Sequence, residues 1–94
     1  MQQGPVGSRS AAIGATVRLL MARHQMNAAA LSQRACISQS ALGRSLSGRR
    51  PFTAEELHAI ANVFGRQASE IIAVAEAIEA AGFAPAPLQT QPVA

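Results

Sequence analysis

At 94 residues the chain has the length of one domain, a size that buries roughly 60 to 65% of the unfolded surface, and its 49% apolar content, with three Phe and no Trp or Tyr, points to a core of Ala, Leu, Ile, Val and Met. No apolar run of roughly eighteen residues and no charged stretch leading into an apolar one occurs, which argues against a membrane span or a signal peptide and for a cytoplasmic location, while the single cysteine, Cys36, offers neither an internal disulfide nor a zinc site. The net charge of +3 divides unevenly: residues 1–50 hold seven Arg and no acid, whereas residues 51–94 hold one Arg and five Glu.

The segment 1–9, with two Gly and one Pro and no periodicity, reads as a flexible arm. From Ser10 onward, Ile13, Val17, Leu20, Met21 and His24 recur every three or four residues, which predicts a first amphipathic helix ending near Gln25. Asn27 is a good N-cap for a second, short helix over 28–35 with Leu31 inward. Ser38 repeats that signal for a third helix to about Leu46, with Leu42 and Leu46 four apart on the buried face and Gln39, Ser40, Gly43 and Arg44 facing away. Ser47-Gly48 stops this helix, and Arg49-Arg50-Pro51 forms a basic turn. Thr53 and Glu56 have the spacing of a capping box and open a fourth helix with Leu57, Ile60, Ala61 and Phe64 on one stripe, closed by Gly65. A fifth helix is predicted over 69–81, with Ile71, Ala75 and Ile78 on one stripe and Gly82 as its C-terminal cap. The last segment, 83–94, carries three Pro and no charge and reads as a disordered tail. The fold class is therefore all-α, with five helices in one domain over 10–82.

A short helix, a turn of about three residues and a second short helix lie between Asn27 and Gly48. Such a pair can hold one helix across a phosphate backbone while its neighbour lies in the major groove. The basic half of the chain suits the same partner, since Arg clusters gain affinity for a polyanion by releasing its counterions. Here the chain resembles a known family. The stretch from Ile13 to Ile72 looks like the Cro and phage-repressor, or XRE, type of helix-turn-helix, a compact five-helix lambda-repressor-like fold. Its landmarks are Leu31 in the first helix of the pair, Ile37-Ser38-Gln39-Ser40 through the turn, Leu42 and Gly48 around the recognition helix, and Leu57, Ile60, Ala61, Phe64 and Gly65 after it.

The resemblance implies a regulator that binds specific double-stranded DNA, acting as a repressor of the Cro or immunity type in a bacterial host cytoplasm. It places Gln39, Ser40 and Arg44 against base edges, with Gly43 allowing close approach. The side chains suit that role: Gln can pair with adenine and Arg with guanine, each good bidentate contact discriminating by about 1 to 3 kcal/mol. Phosphates are assigned to Arg49 and Arg50, to Arg34, and to the amides at the helix starts around Asn27, Ala28 and Ser38. Arg9 contacts DNA only if the arm folds onto it. Three positions depart from the family pattern. Ala28 stands where many members have Gln, and Met21 with Leu46 stands where some members have an Arg–Glu pair. Cys36 occupies a turn position usually held by Gly, where a left-handed backbone costs other residues about 1 to 2 kcal/mol.

An enzyme is poorly supported, because the chain has no Asp, Lys or Tyr and its two histidines, His24 and His58, sit in separate predicted helices. No cofactor, metal or small-molecule ligand is indicated. The competing reading is a protein-interaction module, antitoxin-like or adaptor, using the apolar face of helix five. Ile71, Ile72, Val74, Ala75 and Ile78 offer more apolar surface than one narrow stripe needs and are candidates for a homodimer seam.

Overall fold

The computed structural model describes residues 8–82. Residues 1–7 of the arm expected over 1–9, and the tail expected over 83–94, lie outside the described residues. Five helices follow in order: α1 (Ser8–Arg23), α2 (Ala28–Ala35), α3 (Gln39–Leu46), α4 (Ala54–Val63) and α5 (Ala68–Ala81). Among the described residues there is no strand, and none of their helices is long and apolar enough to cross a membrane.

The caps expected from the sequence form. Asn27 Oδ1 accepts from the Ala30 amide at 2.8 Å and Ser38 Oγ from the Ala41 amide at 3.2 Å. Thr53 and Glu56 close a reciprocal capping box, each accepting the other's backbone N–H at 3.0 Å. At the other ends, α1 to α4 share one closure, in which an amide reaches back five residues to a carbonyl: Met26 to Met21, Ile37 to Ser32, Arg49 to Arg44 and Arg66 to Ala61. The residue before each of these amides has positive φ: Gln25 at 53°, Cys36 at 58°, Gly48 at 82° and Gly65 at 67°. Cys36 thus takes the left-handed conformation that a Gly would adopt more easily. Ser32 offsets part of that strain, since its hydroxyl donates to the Ile37 carbonyl oxygen at 2.6 Å and ties the end of α2 to the start of the turn.

Leu31 of α2, Leu42 and Leu46 of α3, Leu57, Ile60 and Ala61 of α4, Phe64 and Ile71 form one core with Val17 and Leu20 of α1. α1 is enclosed on several sides, packing against both α3 and α5, and Ala12, Gly14, Ala15, Thr16 and Val17 are all buried. Small side chains let the helices approach. A Cβ at Gly14 would stand 2.6 Å from the Leu46 carbonyl oxygen and 2.8 Å from that of Ser45. The guanidinium of Arg18, one turn further along α1, donates to the same Leu46 oxygen. α1 therefore holds the C-terminal end of α3 by backbone contact and by a charged donor.

Three boundaries differ from the sequence reading. α1 begins at Ser8, so Arg9 belongs to a helix, where it pairs with Glu79 and, at 3.8 Å, with Glu76 on α5. α1 ends at Arg23, which takes His24 off the inward stripe; the ring is exposed and lies 5.0 Å from that of Phe64. α5 begins one residue earlier than expected, at Ala68, with the Glu70 carboxylate accepting from the Gln67 amide at 2.8 Å.

Candidate nucleic-acid interface

α3 separates its two faces cleanly. Leu42, Ser45 and Leu46 are buried, while Gln39, Ser40, Gly43 and Arg44 are exposed. The fixed 100° step of a helix makes this outcome a consequence of burying Leu42 and Leu46. An added Cβ on Gly43 would have nothing within 4 Å, so this glycine leaves the outer face of α3 low.

The first-turn amides of a helix have no intrahelical acceptor. In α2 the Asn27 side chain satisfies that of Ala30, leaving those of Ala28 and Ala29 for an external acceptor. In α3 the Ser38 hydroxyl satisfies that of Ala41, leaving those of Gln39 and Ser40. Arg34, Arg44 and Arg49 are exposed, and no acid pairs with them among the described residues. The Arg49 backbone is fixed to α3, since its amide donates to the Arg44 carbonyl oxygen at 2.9 Å.

Arg50 departs from its expected place among the phosphate contacts. Its guanidinium is engaged inside the protein: one nitrogen donates to Glu56 Oε2 at 2.9 Å and the other to Glu56 Oε1 at 3.1 Å and to Ser45 Oγ at 2.7 Å. The side chains of both partners are mostly covered. The hydrogen bonds from Arg50 hold the Glu56 carboxyl below the usual carboxylate range; burial acts the other way, and the Thr53 amide adds to the lowering. Sequence reading missed Arg50's role, Ser45 and Arg18, because each partner is brought up by the fold.

The proposed seam on α5 also divides. Ile71 and Ala75 are buried at 1% and 0% exposure against the chain's own core, so neither is open to a partner. Ile72 and Ile78 are half-buried and Val74 is exposed. Val74 and Leu19, the large apolar residues most exposed among those described, line one groove of about 490 Å³ between α1 and α5, floored by Leu20 and Ile71 and edged by Arg23, Arg66 and Glu70.

A capped helix, a left-handed turn and a second helix with a polar, unpaired outer face define a helix-turn-helix DNA-binding domain. A helix-turn-helix domain family matches residues 12–74, and the chain belongs to it, within the XRE and Cro-like group of DNA-binding transcription regulators. Members of this group are generally not enzymes. Two solved structures of the clp gene regulator ClgR from Corynebacterium glutamicum share the fold. One superposes with a TM-score of 0.72 at 22% identity, covering 82% of this chain and 85% of its own. The other gives 0.70 at 20% identity, covering 80% and 96%. No curated protein matches the chain in sequence.

Proposed function

We propose that this regulator inserts α3 into the major groove and reads bases with Gln39, Ser40 and Arg44, Gly43 giving the backbone room to approach. Arg49, Arg34 and the free amides starting α2 and α3 take the flanking phosphates. The observation that carries this reading is that the three base-reading side chains protrude from a helix whose other face is locked in the core. Occupancy of the site blocks polymerase, the action of a repressor of the Cro or immunity type, on DNA in a bacterial cytoplasm. The charge layout supports it: all five Glu lie on α4 and α5, whereas Arg34, Arg44 and Arg49, which have no acid partner among the described residues, lie on α2, on α3 and just after it.

The test is duplex binding measured across a salt series. Each neutralised phosphate contributes about −0.9 to the slope of log K against log salt. Arg49→Ala is expected to make the slope shallower by about that amount and to weaken all sequences alike. An unchanged slope removes Arg49 from the interface.

A second reading is favoured by the groove holding Leu19 and Val74. It is the surface on which two copies meet, so that two recognition helices stand about 34 Å apart on a palindromic site. A C2 contact pairs a patch with itself, and an apolar groove edged by Arg23, Arg66 and Glu70 carries both signs of charge, so it can be self-complementary. Light scattering should then show a dimer that Val74→Glu converts to monomer. A parent that is already monomeric, or a dimer indifferent to Val74→Glu, rules this surface out. If the monomer binds no DNA at any salt, an antitoxin-like or adaptor role takes precedence.

A further inference from the structure

Arg49 and Arg50 are adjacent, and on sequence alone both are equal candidates for phosphate. The structure treats them differently. Arg49 is exposed without an acid partner among the described residues, whereas Arg50 is half-buried and turned inward onto Glu56 and Ser45. Ser45 is fully buried on the inner face of α3, next in sequence to the base-reading candidate Arg44. Glu56 is in the first turn of α4, where its Oε1 also accepts the Thr53 amide at 3.0 Å. One carboxylate therefore joins the start of α4, the connecting loop and, through Arg50, the inner face of α3.

We propose that Glu56 withdraws Arg50 from DNA and makes it a brace that sets the seat of the recognition helix, so that Arg50 is a positioning residue for base reading and Arg49 alone of the pair meets phosphate. This rests on the major-groove reading given above. The guanidinium suits the task because its planar fork satisfies both carboxylate oxygens and still reaches a hydroxyl. A lysine has the same charge and cannot hold three acceptors in that geometry. A phosphate contact, by contrast, needs chiefly the charge.

The experiment uses the full chain, a preferred duplex and a scrambled duplex across a salt series, with thermal melts showing that each variant is folded at the assay temperature. Arg50→Lys keeps the charge; the expected result is an unchanged salt slope and a loss of about tenfold or more in the ratio of preferred to scrambled binding, the size of one misplaced bidentate contact. The double variant Arg50→Gln with Glu56→Gln leaves net charge unaltered and should behave the same way. A shallower slope in the double variant, by about 0.9, would mean that Arg50 leaves Glu56 for phosphate in the complex and would overturn the proposal. So would a binding ratio untouched in Arg50→Lys. Should a variant not fold, Glu56→Gln alone keeps an acceptor for the Thr53 amide; it is expected to steepen the slope, by freeing Arg50, while lowering the ratio. An unaltered slope and ratio in that variant contradict the brace. Failure of the parent chain to prefer any duplex overturns the major-groove reading itself, and is separable because it is seen before any variant is compared.

Discussion

Gly14→Ala is expected to lower the melting temperature by about 2 to 16 °C and to weaken DNA binding at temperatures where the chain is still folded. The added methyl would sit 2.6 Å and 2.8 Å from two carbonyl oxygens at the end of α3, and backbone atoms cannot swing aside as a flexible side chain can. The helices must separate, and overpacking of this kind costs about 1 to 3 kcal/mol, reduced by the roughly 0.5 to 1 kcal/mol that replacing a mid-helix glycine returns; each kcal/mol is worth about 4 to 8 °C in a domain of this size. Separation also strains the Arg18 bond to Leu46 and shifts the helix that carries Gln39 and Arg44. Gly43→Ala is the informative contrast. It meets nothing within 4 Å and removes a mid-helix glycine, which should stabilise the fold by roughly 0.5 to 1 kcal/mol while weakening binding through a methyl on the DNA-facing side. Circular dichroism melts paired with duplex titrations check both; a Gly14→Ala chain that melts like the parent shows that α1 does not hold α3 as described.

The second large effect concerns specificity. Arg44→Ala should cost about 1 to 3 kcal/mol on the preferred duplex, or about 5- to 150-fold, and much less on a scrambled one. Gln39→Ala should do the same at a different base pair. Their outward placement makes both substitutions nearly silent in stability, since neither side chain takes part in the Ser38 cap and exposed substitutions of this kind seldom move it by more than about 0.5 kcal/mol. Equal losses on preferred and scrambled duplexes would reduce both residues to phosphate contacts.

The parts of this molecule that were legible in its sequence are those decided within a few residues. The caps at Asn27 and Ser38, the Thr53–Glu56 box and the stops at Gly48, Gly65 and Gly82 all depend on side chains and backbone torsions close by. The inward stripe of α4 was legible for a related reason, because Leu57, Ile60, Ala61 and Phe64 bury the face that helical periodicity assigns them. Cys36 is the exception: as a non-Gly residue it argued for a somewhat different turn, yet it takes the left-handed conformation of the glycine usual there.

What escaped was decided by how the loops and helices pack, which no local signal shows. Arg9 precedes the apolar run that marks α1 in the sequence and is tied down by acids on α5, some seventy residues away. Arg50 sits in a run that reads as basic surface until the loop folds it onto Glu56. His24 fits the spacing of α1 but follows its last residue; its amide still bonds back to Leu20 at 3.0 Å while its side chain is exposed. Ile71 and Ala75 were read with Val74 as one apolar seam; the packing of α5 on α1 buries the first two and exposes the third. Gly14 carried only an ambiguous signal, since a glycine inside a helix costs stability whether it has a close neighbour, as here, or open space, as at Gly43.

The central claim is that the outer face of α3 reads base edges. The most direct measurement is selection from a random duplex pool, run in parallel with the parent chain and with the double variant Gln39→Ala, Arg44→Ala. The account predicts that the parent enriches a short common motif in which a guanine and an adenine are fixed, and that the variant still retains DNA but loses preference at those two positions. Identical motifs from both proteins, or no motif from the parent, would contradict it.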